Sequence, residues 1–219
     1  MSEPIINLSQ LGFEVKDQVI LKGIDFSVEK GEFVTITGPS GSGKSTLLKI
    51  IATMLSPTTG IVEYQGKSLT EYDPIDYRKE VSYCFQTAVL FGQTVQENLA
   101  FPYVIRDKKF DSKKAIDYLH KVGLDKVYLT KNINELSGGE KQRIALIRSL
   151  LITPKVLLLD EVTSALDAKN QQIIKCLIQE MNQKEQITVL WVTHNPAEIS
   201  AANRIIEIVN GEAEGKRCS

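Results

Sequence analysis

Gly38-Pro39-Ser40-Gly41-Ser42-Gly43-Lys44-Ser45-Thr46 decides how this chain is read. It fits G-x-x-x-x-G-K-[ST], a loop whose backbone N–H groups cradle phosphate oxygens. Phe33-Val34-Thr35-Ile36-Thr37 before it reads as a buried strand. After it Leu47, Leu48, Ile50, Ile51, Met54 and Leu55 recur at helical spacing. A strand, a glycine loop and a helix in that order aim free N–H groups and the positive end of the helix dipole at an anion. Lys44 is placed to reach β- and γ-phosphates, and Ser45 to ligate Mg²⁺.

Upstream, residues 5–8 and 19–28 read as two strands around a turn at Lys16-Asp17, with Phe13 between them. Downstream, Thr58-Thr59-Gly60 is a turn, and Ile61-Val62-Glu63-Tyr64-Gln65 alternates as a half-exposed strand does. A short helix over 73–79 and a strand over Val81–Phe85 lead to Gln86. From Thr87 to Leu151 helical patterns dominate, at 94–100, 112–122 and 138–151, so this block of about 65 residues reads as an inserted helical lobe. Asp111 or Ser112 suits the start of the second helix and Gly123 its end.

Parallel-sheet patterning then resumes. Val156-Leu157-Leu158-Leu159 is a buried strand tipped by Asp160 and Glu161. A helix over 168–182 collects Ile173, Ile174, Leu177, Ile178 and Met181 on one face. Ile187–Thr193 is a further buried strand ending at His194. A short helix near 196–202 and a last strand, Ile205–Val209, follow, and Gly211–Ser219 is expected to be a disordered polar tail.

Composition bounds the rest. The chain has 219 residues, 42% of them hydrophobic and 24% charged, the balance of a globular protein with one sizeable core. Net charge is −1 and there is no basic stripe, which argues against nucleic acid and anionic membrane as partners. The longest apolar run, Ile187–Val192, is far short of a membrane span. Glu3 and Pro4 give no basic-then-apolar leader, so none is expected. Cys84, Cys176 and Cys218 are too scattered for a metal or disulfide framework and fit a reducing compartment. Cys84 and Cys176 have apolar neighbours in sequence and read as core, while His120 reads as a surface residue.

Two patterns carry chemistry beyond the loop. Asp160 at a strand end is a second anchor for Mg²⁺, and Glu161 is placed to accept a proton from an attacking water. Leu136-Ser137-Gly138-Gly139-Glu140-Lys141-Gln142-Arg143 opens a helix with a serine and two glycines, a second phosphate-binding terminus. One nucleotide in one chain has little use for two such sites, so Ser137 is expected to meet the nucleotide held by another copy.

These motifs, in this order, resemble the nucleotide-binding subunit of ABC transporters over about residues 5–210. Gly38–Thr46 resembles the Walker A loop, Val156–Glu161 Walker B and Leu136–Arg143 the signature motif. Gln86 resembles the Q-loop glutamine, Ser164-Ala165-Leu166-Asp167 the D-loop and His194 the switch histidine. The resemblance implies an α/β P-loop NTPase (RecA-like) core with an antiparallel β subdomain. Core and β subdomain would span 1–86 and 152–210, the helical subdomain 87–151 and the tail 211–219. It implies ATP and Mg²⁺ as ligands, with Phe13 stacking on adenine in place of the commoner tyrosine. Ser45, Asp160 and Gln86 would serve the metal. Glu161, Gln86 and His194 would serve catalysis. Ser137, Gly138, Gly139 and Asp167 would act across a head-to-tail dimer. Glu140 departs from the commoner glutamine and leaves the Ser-Gly-Gly element intact.

The partners implied are a second copy and polytopic membrane permease subunits, with the chain peripheral at the cytoplasmic face of the membrane. Ser82–Thr87, Leu90-Phe91-Gly92, Leu129–Asn132 and Leu190–His194 are more closely similar to the bacterial iron-export ATPases of the Fet type. An ATPase of an amino-acid or lipoprotein system, or a soluble one of iron–sulfur cluster assembly, is the alternative.

Overall fold

The structure, a computed structural model, describes residues 3–200 and 202–217; Cys218 and the end of the expected tail lie outside them. In chain order the elements are β1 (Ile6–Val15), β2 (Gln18–Val28), β3 (Phe33–Thr37), α1 (Lys44–Ile51), β4 (Thr59–Tyr64), β5 (Lys67–Ser68), α2 (Pro74–Glu80) and β6 (Val81–Cys84). Then come α3 (Val95–Val104), α4 (Ser112–Lys121), α5 (Gly138–Leu150), β7 (Val156–Asp160), α6 (Ala168–Glu185), β8 (Thr188–Val192), α7 (Pro196–Ile199), β9 (Arg204–Val209) and β10 (Glu212–Arg217).

The strands form two sheets, β2-β1-β4-β5 and β10-β9-β3-β8-β7-β6. The first is antiparallel throughout. In the second, β9, β3, β8, β7 and β6 run parallel. Parallel strands covered on both faces read as continuous apolar runs, and β7 and β8 are buried along their whole length.

Strand periodicity divides that burial between two cores. Phe33, Leu157, Leu159, Val189 and Trp191 point to one face and pack with the apolar side chains of α3, α4, α5 and α6. Val34, Ile36, Leu158, Leu190 and Val192 point to the other, against α1, β1 and β2. Each fully buried leucine contributes about 1.5–3 kcal/mol. The helices of 87–151 thus share a continuous core with the parallel sheet.

Caps set the helix starts. Asp73 caps α2 ahead of Pro74, Asp111 caps α4, and Thr94 with Glu97 forms a capping box on α3. Gly123, at φ 72°, follows the end of α4 as expected. Helix α3 continues past the expected residue 100 and through Pro102. The proline forfeits one helical hydrogen bond but is buried beside Leu99 and Tyr103, so packing overrides propensity.

Four expectations are corrected. Phe13 lies inside β1, which runs on to Val15 before the turn of Lys16 and Asp17. Cys176 is exposed, on the outer face of α6, while Cys84 is buried. Helix α7 ends at Ile199, short of the expected 202, where Ala201 lies outside the described residues. The tail is strand rather than disordered chain: β10 pairs antiparallel with β9 from Glu212 opposite Val209 to Arg217 opposite Arg204. Its two-residue turn is Asn210-Gly211, both at positive φ (51° and 81°), the pair that a tight hairpin selects. No helix among the described residues is long and apolar enough to cross a membrane.

Candidate active site

The phosphate loop leaves β3 at Thr37 and enters α1 at Lys44. Gly38 is there because nothing larger fits. Its φ is +132°, and a Cβ would lie 2.0 Å from the carbonyl oxygen of Ile208 in β9. Gly43, at φ 101°, turns the chain into α1 and accepts the amide of Leu47 at 2.8 Å. Pro39, Ser40 and Gly41 are exposed at the rim, and Thr46 is half-buried one residue beyond Ser45. Lys44 is buried and curls over the loop, donating from Nζ to the carbonyls of Gly38 (2.8 Å) and Pro39 (2.7 Å). Burial lowers its pKa, opposed by the nearby carboxylates of Glu161 and Asp160. Among the described residues the buried Ser42 hydroxyl has no hydrogen-bond partner. A buried donor left open in this way suits an external acceptor.

Asp160 ends β7, which borders β8 and β6. It is buried and accepts two hydroxyls: Ser45 Oγ at 2.8 Å on Oδ1 and Tyr83 Oη at 2.7 Å on Oδ2. The hydroxyl and the carboxylate, 115 positions apart in sequence, are hard oxygen donors of the kind Mg²⁺ takes. Glu161 follows in the left-handed region at φ 48°, a conformation that costs about 1–3 kcal/mol in a non-glycine residue and clusters at functional sites. Its amide donates to the Val192 carbonyl at 3.0 Å, and its own carbonyl accepts the Ser164 hydroxyl at 2.9 Å. Its carboxylate is thereby held between Gln86, whose Nε2 donates to Oε2 at 2.9 Å, and His194, whose Nε2 lies 3.3 Å from Oε1. Gln86, Glu161 and His194 follow three neighbouring parallel strands at their carboxyl ends, where open α/β sheets bind ligands.

The second predicted element is built differently. Ser137 caps α5: its hydroxyl accepts the Glu140 amide at 3.3 Å, and its own amide donates to Glu140 Oε2 at 2.7 Å. The Tyr128 hydroxyl also donates to Glu140, and this bond, more than the contacts to Ser137, holds the carboxyl below its ordinary pKa. Ser137 and Gly138 are exposed, Gly139 is half-exposed, and a Cβ on Gly138 would meet nothing within 4 Å. Asp167, also exposed, caps α6 through the amide of Asn170 at 2.9 Å, which holds its carboxyl low. Among the described residues neither Ser137–Gly139 nor Asp167 hydrogen-bonds to the phosphate loop.

Beside the loop is a cavity of about 470 Å³. Its walls are Gln18, Val19, Ile20 and Lys22 of β2 and the Asn210-Gly211 turn, with Pro39–Ser42 along one side. Phe13 is not among these walls; it is half-buried and packs against the core under β1. Motif reading missed the wall residues, and it missed Tyr83 and Gln142. Gln142 is buried in α5 and donates to the Phe85 carbonyl at 3.0 Å, tying the Ser137 helix to the chain just before Gln86. The one local signal for the hairpin wall was the Asn-Gly pair itself.

The chain is similar to known proteins over most of its length. The family model described as ABC transporter matches residues 21–164. The chain is 49% identical over 207 residues to the "Probable iron export ATP-binding protein FetA" of Escherichia coli K12, covering 94% of this chain and 92% of that protein. It is 38% identical over 225 residues to the "Phosphate import ATP-binding protein PstB" of Saccharolobus solfataricus, covering 96% and 87%. A dimeric ATP-binding cassette solved in a post-hydrolysis state with ADP and Pi superposes with a TM-score of 0.87 at 30% identity, over 97% of this chain and 98% of that one. The α/β fold, the loop and these likenesses together show that the chain belongs to the ABC transporter family, as an ATP-binding, ATP-hydrolysing subunit.

Proposed function

We propose that two copies of this chain close head to tail over two Mg²⁺–ATP, and that closure and reopening drive a separate membrane permease. The observation that carries the reading is the placement of Glu161. It stands between Gln86 and His194 at the strand end next to Asp160, which is itself bonded to the Ser45 hydroxyl of the phosphate loop. Lys44, the loop amides and Ser42 bind the phosphates; Ser45, Asp160 and Gln86 are the residues that would hold Mg²⁺. Positive charge to offset that of the phosphates is the chemistry Mg²⁺ would supply there. Glu161 takes the proton of the attacking water, and His194 and Gln86 orient its carboxylate. Ser137, Gly138 and Gly139 of the second copy complete the γ-phosphate site, with Asp167 at the junction. Phe13 would stack on adenine only from its half-buried place in β1, outside the walls of the cavity beside the loop.

Phe85, Val89, Phe91, Phe101, Val104 and Ile105 are exposed apolar side chains around the end of β6 and along α3. They suit a permease partner and a peripheral position at the cytoplasmic face. Iron or another metal ion exported by that permease is the cargo favoured by the similarity to FetA over nearly the whole of both chains. A second reading, an ATPase of an import system, is favoured by the similarity to PstB.

Glu161→Gln tests the mechanism. The variant should bind ATP, remain dimeric in its presence and hydrolyse about 10²–10⁴-fold more slowly. Undiminished turnover would remove Glu161 as the base. The cargo is read from whole cells: loss of the chain should raise cellular iron, and unchanged iron under iron load would reject iron export.

A further inference from the structure

Asp160 is the acidic anchor of the site, and a carboxylate at a strand end rotates easily, because the terminal torsion of aspartate is broad. Two hydroxyls restrain it here. That of Ser45 is itself a proposed metal ligand: its oxygen lone pairs can take the ion while its O–H still donates to Oδ1, so its position would be set by the ion as well as by the carboxylate. The bond from Tyr83 Oη to Oδ2, at 2.7 Å, lies on the opposite side of the carboxylate, and Tyr83 is not a proposed metal ligand. Tyr83 is well held. It sits on β6 in register with Leu158 of β7, two residues before Asp160. Its ring packs edge-to-face on Phe85, with centroids 4.8 Å apart at 72°. A carboxylate only accepts, so the phenol O–H is the donor in this bond.

We propose that Tyr83 is a positioning residue for the divalent metal: its hydroxyl fixes Asp160 through Oδ2 and leaves Oδ1 turned to Ser45 and the ion. The inference rests on the Mg²⁺ reading above and adds to it a partner that orients the metal's carboxylate. Outer partners of this kind typically alter metal affinity 10–100-fold when removed.

Equilibrium binding of a fluorescent ATP analogue, first in EDTA and then titrated with MgCl₂, separates the metal from the nucleotide. Tyr83→Phe keeps the ring and loses only the hydroxyl. It should bind the analogue in EDTA within about twofold of wild type and need roughly tenfold more Mg²⁺ for half-saturation. An unchanged Mg²⁺ half-saturation, or an equal loss of affinity with and without Mg²⁺, would overturn the assignment. If wild type itself showed no Mg²⁺ dependence, the metal reading would fall and this one with it. Should the variant not fold, 3-fluorotyrosine placed at position 83 of the otherwise native chain gives a second readout. Its ¹⁹F resonance should move when Mg²⁺ is added to the nucleotide-bound protein, and a resonance indifferent to Mg²⁺ would reject the proposal.

Discussion

The phosphate loop and the Ser137–Gly139 element are both serine- and glycine-bearing helix starts, yet the fold treats them in opposite ways. The loop is enclosed. Gly38 is pressed against the Ile208 carbonyl, Lys44 is buried over the loop, and Ser45 meets a carboxylate 115 positions away. The Ser137 element is displayed. Its hydroxyl and amide are satisfied within one helical turn by Glu140, and open space lies over Gly138. The groups around the loop are brought together from distant segments of one chain. The Ser137 element is satisfied locally and turned outward, which is the arrangement the proposed head-to-tail dimer would use.

The sharpest way to break this contrast is Ser137→Arg. A long cation at that surface should leave ATP binding by the loop largely intact and abolish ATP-dependent dimerisation. Turnover should fall about 10²-fold or more, the scale of losing a donor to developing phosphate charge. Full turnover by a monomeric variant, read by light scattering alongside phosphate release, would show that the loop needs no second copy.

Stability sharpens the same contrast. Gly38→Ala should lower unfolding free energy by about 3 kcal/mol or more, because the conformation is closed to L-residues and backbone stands in the way. Gly138→Ala should stay within about 1 kcal/mol of wild type, since its Cβ enters open space at a helix start. Urea melts of the two variants measure the difference; equal losses would mean that the second element is packed after all.

The smallest effect belongs to Glu140. Glutamine keeps an acceptor for the Ser137 amide but loses the charge, so Glu140→Gln should lose about 0.5–1 kcal/mol at neutral pH. Solvent around this half-exposed group keeps the figure small. The folded carboxyl lies below its ordinary value of 4.5. Its contribution is therefore fully present above that value and disappears as pH falls through the lower folded pKa. Thermal melts of the two proteins should converge on acidification, and a gap that persisted in acid would assign the loss to packing.

Much of the fold was open to a reader of the residues alone, because its signals are local. Apolar runs of four to six residues declared the central strands, Asp73 and Asp111 declared helix starts, and Val156–Glu161 declared a strand tipped with two carboxylates. The expectations that failed concern residues whose surroundings come from elsewhere in the chain. Glu212–Arg217 is too polar to look like a strand, and it becomes one because β9 offers an unpaired edge and Asn210-Gly211 turns the chain back. Cys176 has apolar neighbours in sequence but faces away from them around α6.

The same division runs through the site. The order and spacing of the motifs singled out which residues are expected to bear chemistry, since a glycine loop before a helix and a carboxylate after a buried strand are properties of adjacent residues. Only the tertiary structure decided who meets whom. It put Glu161 in the left-handed region between Gln86 and His194, Tyr83 on Asp160 and Gln142 under Phe85, and it left Ser137 facing outward. The reason is physical. Pattern and propensity act over a turn of helix or a few strand residues, whereas these contacts span parallel strands joined by long crossovers. Their partners are set by strand order and register, which no local stretch of sequence encodes.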